Sequence, residues 1–119
     1  MNKKILIVDD DQDILEPLSL ILEEEGYTVA TTPKGEMTYG KVNEFKPDLI
    51  LLDLLLSGSD GRKICKTLKE NSETKHLPII MMSAHPGAET DSRNCGANGF
   101  IAKPFESEDL LKILKKKLS

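Results

Sequence analysis

The chain has 119 residues, 39% apolar and 30% charged, a globular composition that excludes disordered and fibrous classes and suits one domain over residues 1–119. Its net charge of −4 has the wrong sign for a surface that binds nucleic acid directly. No apolar run is long enough to insert into a membrane, and the short run after Met1-Asn2-Lys3-Lys4 is no signal peptide, so a cytoplasmic protein is expected. Cys65 and Cys95 lack metal-type spacing and read as small apolar residues in a reducing compartment.

Lys4-Ile5-Leu6-Ile7-Val8 is a continuous apolar run, hence a buried strand. It stops at Asp9-Asp10-Asp11, of which Asp11 can cap the next helix. That helix carries Ile14, Leu18, Ile21 and Leu22 on one side, has Pro17 inside, where a loosened first turn is expected, and ends at Gly26. Tyr27–Thr31 reads as a shorter strand. Thr32-Pro33 then opens a weak helix, as N-cap and first helical residue, with Met37, Val42 and Phe45 inward. Lys46-Pro47-Asp48 breaks it.

The central run is Leu49-Ile50-Leu51-Leu52-Asp53-Leu54-Leu55-Leu56, seven aliphatic residues around one carboxylate. An unpaired charge inside a strand buried on both faces is costly. The cheaper arrangement puts Asp53 at the strand's carboxyl end, and the turn residues Ser57-Gly58-Ser59-Asp60-Gly61 agree. The next helix has Ile64, Cys65 and Leu68 inward and ends near Asn71. Pro78–Met82 is a strand ending at Ser83, and Gly99–Ala102 one ending at Lys103-Pro104. Ser107 is expected to cap the last helix. Its stripe is Leu110, Leu111, Leu114 and Leu118, with Glu108 and Asp109 early and Lys115-Lys116-Lys117 late, as the helix dipole favours.

Five strands alternating with helices predict an α/β fold, a doubly wound parallel sheet with right-handed crossovers. Asp9, Asp10, Asp53, Ser83 and Lys103 all fall at carboxyl ends of strands. Clustered carboxylates without His or Cys suit a hard cation such as magnesium. A lysine and a serine hydroxyl beside them suit phosphoryl oxygens. Together these parts describe phosphoryl transfer with a carboxylate nucleophile.

The ordered set Val8-Asp9-Asp10, Leu52-Asp53, Asp60-Gly61, Ser83-Ala84 and Phe100-Ile101-Ala102-Lys103-Pro104-Phe105 resembles the receiver domains of two-component response regulators over essentially the whole chain. That resemblance implies a flavodoxin-like sheet of order 2-1-3-4-5. It implies that Asp53 accepts a phosphoryl group from a histidine kinase or phosphotransfer protein, with Mg2+ (or Mn2+) as cofactor. Asp10 would ligate the metal directly, Asp9 through water, and Asp53 and the main-chain carbonyl of Leu55 would complete the protein ligands. Ser83 and Lys103 would contact the phosphoryl oxygens, and Phe100 stands where the family has its switch aromatic. The partners implied are the phosphodonor and an unidentified downstream protein, with weak homodimerisation on phosphorylation open. Such a protein catalyses only its own phosphorylation and dephosphorylation.

Three rival readings fit less well. A haloacid dehalogenase-like phosphatase, the alternative that acts on free substrates, wants a second aspartate where Leu55 stands. A flavin module wants a glycine- and hydroxyl-rich loop where three aspartates stand. A degenerate receiver would have lost Asp10, Asp53, Ser83 or Lys103.

Departures from the family pattern are Ser57, where proline is usual, and a shortened segment between Ser83 and Lys103. The latter predicts a fourth helix of about two turns, with Ala88, Cys95 and Ala97 facing the core and a polar stretch Glu89–Asn94 between them. His85 and His76 read as solvated residues. The Lys103-Pro104 bond is expected to be cis.

Overall fold

The computed structural model describes residues 2–119. Five parallel strands, β1 (Lys4–Val8), β2 (Thr28–Thr32), β3 (Leu49–Asp53), β6 (Ile79–Ser83) and β7 (Gly99–Ala102), form one sheet. Two-residue strands β4 (Leu55–Leu56) and β5 (Ser59–Asp60) form a separate antiparallel hairpin after β3. The sheet order is β2-β1-β3-β6-β7, which is 2-1-3-4-5 once the hairpin is set aside. The helices are α1 (Gln12–Glu24), α2 (Thr38–Phe45), α3 (Gly61–Glu70), α4 (Ala88–Asn94) and α5 (Ser107–Leu118).

Alternation along each strand divides the apolar side chains between two cores. Ile5, Ile7, Leu49, Leu51, Ile80 and Met82 pack with Leu15, Leu18 and Leu22 of α1 and Leu110 and Leu114 of α5. Leu6, Val8, Ile50, Leu52, Ile79 and Met81 pack on the other face with Val42 of α2, Ile64, Cys65 and Leu68 of α3, and Ala88 and Cys95 at the two ends of α4. β1, β3 and β6 are buried at every residue except Lys4.

Most expected elements form, and the differences have local causes. α1 runs unbroken through Pro17, and Leu15 takes the buried place expected of Ile14 and Ile21, which are half-buried. The helix ends in a Schellman arrangement: Gly26, at φ 97°, donates to the Glu23 carbonyl and Tyr27 to that of Leu22. Thr32 is not a helix cap. It is the last residue of β2, paired with Val8, and its Oγ1 accepts from the Lys34 amide at 3.3 Å. A 3-10 turn over Gly35–Met37 follows, so α2 begins only at Thr38 and Met37 is exposed rather than inward. At α5, Glu106 holds the N-cap position and Ser107 is already helical, so Ser107 does not cap. Leu111 and Leu118 are half-buried beside the buried Leu110 and Leu114. α4 is seven residues long, as its composition predicts, although Ser92 is buried because its hydroxyl donates to the Glu89 carbonyl. The Lys103-Pro104 bond is cis. His85 and His76 are both exposed.

Candidate functional site

Sheet register assembles the site. Val8 lies opposite Leu52, Asp53 opposite Met82, and Ser83 opposite Ala102. The residues at or just past these pairs, Asp9, Asp53, Ser83 and Lys103, therefore stand in a row along the carboxyl edge of the sheet. This is where open parallel sheets place their ligands.

The three consecutive aspartates have three different tasks. Asp11 caps α1, its Oδ1 accepting from the Asp13 amide at 2.9 Å. Asp9 is fully buried, and its Oδ1 accepts from the Asp11 amide at 3.0 Å while its Oδ2 accepts from Lys103 Nζ at 2.6 Å. Asp10 reaches forward to the hairpin, where its Oδ2 accepts from the Ser57 amide at 2.8 Å. That hydrogen bond holds the Asp10 carboxyl below its ordinary range.

Asp53 is 7% exposed at the end of β3. Its carboxyl is pushed up to about 6, first by burial and then by the negative charge of Asp9. Lys103 opposes the shift but lies 3.6 Å from Asp53 Oδ1, a full ångström farther than from Asp9. One lysine thus faces two buried carboxylates and serves Asp9 first. The site is short of positive charge.

Asp9, Asp10 and Asp53 each offer a carboxylate oxygen within 4.8 Å of the others. Three oxygen donors converging on one point, with the Asp53 carboxyl raised by burial and by the charge of Asp9, fit a hard divalent cation. Leu55 follows on β4, paired with Asp60, with its side chain exposed. The hairpin comes close because residue 61 is glycine: a Cβ there would overlap the Asp53 carbonyl oxygen and lie 2.9 Å from Leu54 Cα.

Ser83 is buried, and its Oγ accepts from the His85 amide at 2.9 Å, leaving the hydroxyl proton to donate elsewhere. The Lys103 amide donates to the Ser83 carbonyl at 2.9 Å, which joins β6 to the lysine. Phe100 stands apart from this cluster, half-buried on the face of the sheet that carries α3 and α4. Beside Lys103 an apolar groove of about 540 Å³ runs between Ile14, Pro17 and Ile21 of α1 and Pro104 and Phe105.

Three relationships escape a sequence reading because each joins residues distant in the chain. They are the Ser57–Asp10 hydrogen bond, the ion pair of Arg62 with Asp91, and the contact of Cys65 with Cys95. The one local signal was that Ser57, unlike proline, keeps an N–H to donate.

The response regulator receiver domain model matches residues 5–115. The DNA-binding response regulator MtrA of Mycobacterium tuberculosis (strain H37Rv) is 35% identical over 124 residues, covering 99% of this chain and 51% of that protein. The phosphate regulon transcriptional regulatory protein PhoB of Escherichia coli (strain K12) is 34% identical over 97% of this chain and 51% of its own length. The chain thus spans about half the length of these relatives. Among solved structures, chemotaxis response regulator CheY4 of Vibrio cholerae superposes with a TM-score of 0.91 at 31% identity, covering 99% of this chain and all of that one. A CheY-like receiver domain protein of Methanospirillum hungatei also reaches 0.91 at 32% identity, over 99% and 94% of the two chains. With the sheet order, the carboxylate edge and these matches in agreement, the chain belongs to the response regulator receiver family.

Proposed function

We propose that residues 1–119 form a single receiver domain whose Asp53 accepts a phosphoryl group from the phosphohistidine of a histidine kinase or phosphotransfer protein. One observation carries this reading: Asp53 sits at a strand end, raised to about 6, with Asp9, Asp10 and Lys103 around it. Asp9, Asp10, Asp53 and the Leu55 carbonyl would hold Mg2+ (Mn2+ can substitute). A cation there holds the carboxylates ionised and neutralises charge on the transferred group.

Asp53 supplies the nucleophilic oxygen. As its bond to phosphorus forms, the P–N bond to the donor imidazole breaks and the electron pair stays on that nitrogen. Lys103 can turn from Asp9 toward a phosphoryl oxygen, being already within 3.6 Å of Asp53. The Ser83 hydroxyl donates to another. The groove between α1 and Pro104-Phe105 offers an apolar seat for the donor protein beside the reacting atoms.

Output would follow from Ser83. Drawing its hydroxyl to the phosphoryl group releases the His85 amide at the head of the segment leading to α4. Phe100 then repacks, so that α4, β7 and α5 present a changed face to a downstream protein. The domain catalyses only its own phosphorylation, from a phosphohistidine or a small donor such as acetyl phosphate, and its own dephosphorylation.

The test is incubation with acetyl phosphate followed by intact-mass measurement. The chain is expected to gain one phosphoryl mass with magnesium, none in EDTA, and none in Asp53→Asn. Equal gain in EDTA would contradict the reading.

A further inference from the structure

Cys65 and Cys95 are the chain's two cysteines. The fold brings them together: Cys65, in the middle of α3, directs its Sγ at the Cys95 carbonyl 3.5 Å away. Cys95 is the C-cap of α4, and its own Sγ is 3.2 Å from the Ser92 carbonyl. Both are buried and reduced, Cys65 fully and Cys95 at 8% exposure. Two other contacts flank them. Arg62 Nη1 lies 3.6 Å from Asp91 Oδ2, and the Lys69 stem lies beside Gly96. Positions 62, 65 and 69 form one face of α3, and that face holds α4. α4 brings only Ala88 and Ser92 of its own to the buried side.

We propose that Cys65 and Cys95 are a dithiol that a low-molecular-weight disulfide oxidises to an intramolecular disulfide, clamping α4 to α3. The Cys95 thiolate attacks one sulfur of the small disulfide, whose S–S bond breaks. One small thiol leaves with the electron pair and takes up the Cys95 proton. The Cys65 thiolate then attacks the Cys95 sulfur of the mixed disulfide and expels the second small thiol, which takes up the Cys65 proton. Two protein thiols are oxidised and one disulfide is reduced to two thiols. Burial pushes the Cys65 thiol up, so exchange is slow and proceeds when α4 lifts. Once formed, the bond holds α4 in the arrangement described here. Neither the bond nor the clamp depends on phosphorylation of Asp53.

The test is an equilibrium one, so that slow access to buried thiols does not decide it. The full chain is equilibrated in glutathione redox buffers, quenched with acid and weighed, both native and in urea. The native chain is expected to lose the mass of two hydrogens at a ratio of oxidised to reduced glutathione at least about tenfold lower than the unfolded chain requires. A native midpoint equal to or above the unfolded one would show that the fold holds the sulfurs apart and would overturn the proposal. So would glutathione adducts or covalent dimers as the main product. In the oxidised chain, amide exchange over 88–95 is expected to slow several-fold, while Cys95→Ala exchanges at one rate in both buffers. Unchanged exchange in the cross-linked chain would overturn the clamp.

Discussion

The amide of Ser57 donates to Oδ2 of Asp10 across 2.8 Å, tying one carboxylate of the cluster to the loop of the β4–β5 hairpin. Proline, usual at this place in receiver domains, has no N–H and could not make the bond. Ser57→Pro is therefore expected to cost about 1 kcal/mol of metal-free stability, less than the ~1.5–3 kcal/mol of a buried hydrogen bond to a charged group because Asp10 is partly exposed. It is expected to tighten magnesium binding by about fivefold, since Asp10 no longer shares its charge with an amide. Calorimetric titration with magnesium chloride measures the second effect, and weaker binding would contradict it.

Asp53 should give the metal-free chain an unusual pH dependence. Its folded value of about 6 lies above the ordinary 3.8, so the fold disfavours the ionised form. Stability from this group is fully present below pH 4 and is lost as pH rises through about 6. Asp10 and Asp60 act oppositely, their carboxyls being held low by Ser57 and Arg62, and their contribution is lost only below pH 4. Between pH 4 and 6 the Asp53 effect stands alone among these three. Asp53→Asn is expected to raise metal-free stability at pH 7 by up to about 3 kcal/mol, and by much less at pH 4. Urea denaturation at the two pH values measures it. A variant less stable than the parent at pH 7 would contradict the argument.

Gly61 should tolerate no side chain. A Cβ would strike the Asp53 carbonyl oxygen and crowd the backbone of Leu54, and neither is the far end of a flexible side chain. Gly61→Ala is expected to lose about 2 kcal/mol or more and to weaken magnesium binding, because Asp53 must move with its own backbone. Gly40, with nothing near its virtual Cβ, is the control. Gly40→Ala, inside α2, is expected to be neutral or mildly stabilising.

α4 should be the least protected of the five helices. It is seven residues long, and most of its side chains are polar and exposed. Amide exchange over 85–98 is expected to be faster than in α5 and to slow when beryllofluoride and magnesium occupy the Asp53 site. Equal protection in both states, at the level of α5, would contradict that.

The parts of this molecule legible in the sequence are those governed by local pattern. Ile5–Val8 and Leu49–Leu52 are strands because continuous aliphatic runs bounded by turn residues have few other uses in a short globular chain. Asp53 stands out as a charge in such a run, and the row from Asp9 to Lys103 follows from five strands ending on one edge. Thr32 misled because a Thr-Pro pair suits a helix start and a strand end equally. Pairing with Val8, which no local rule reveals, decided for the strand. Ser107 misled by one residue, because the chain turns helical before reaching the better capping side chain. The Ser57–Asp10 bond and the Cys65–Cys95 contact join residues 47 and 30 positions apart. They arise only when the hairpin folds over β1 and when α3 and α4 pack side by side.

The most direct test of the central claim is to locate the phosphoryl group. The chain would be treated with acetyl phosphate and magnesium, reduced with borohydride to convert any acyl phosphate into an alcohol, and sequenced by mass spectrometry. The account predicts conversion of Asp53 to homoserine, with Asp9, Asp10 and every other carboxylate unchanged, and no conversion without magnesium. Conversion at a different carboxylate, or none at Asp53 in a chain that has gained the phosphoryl mass, would contradict it.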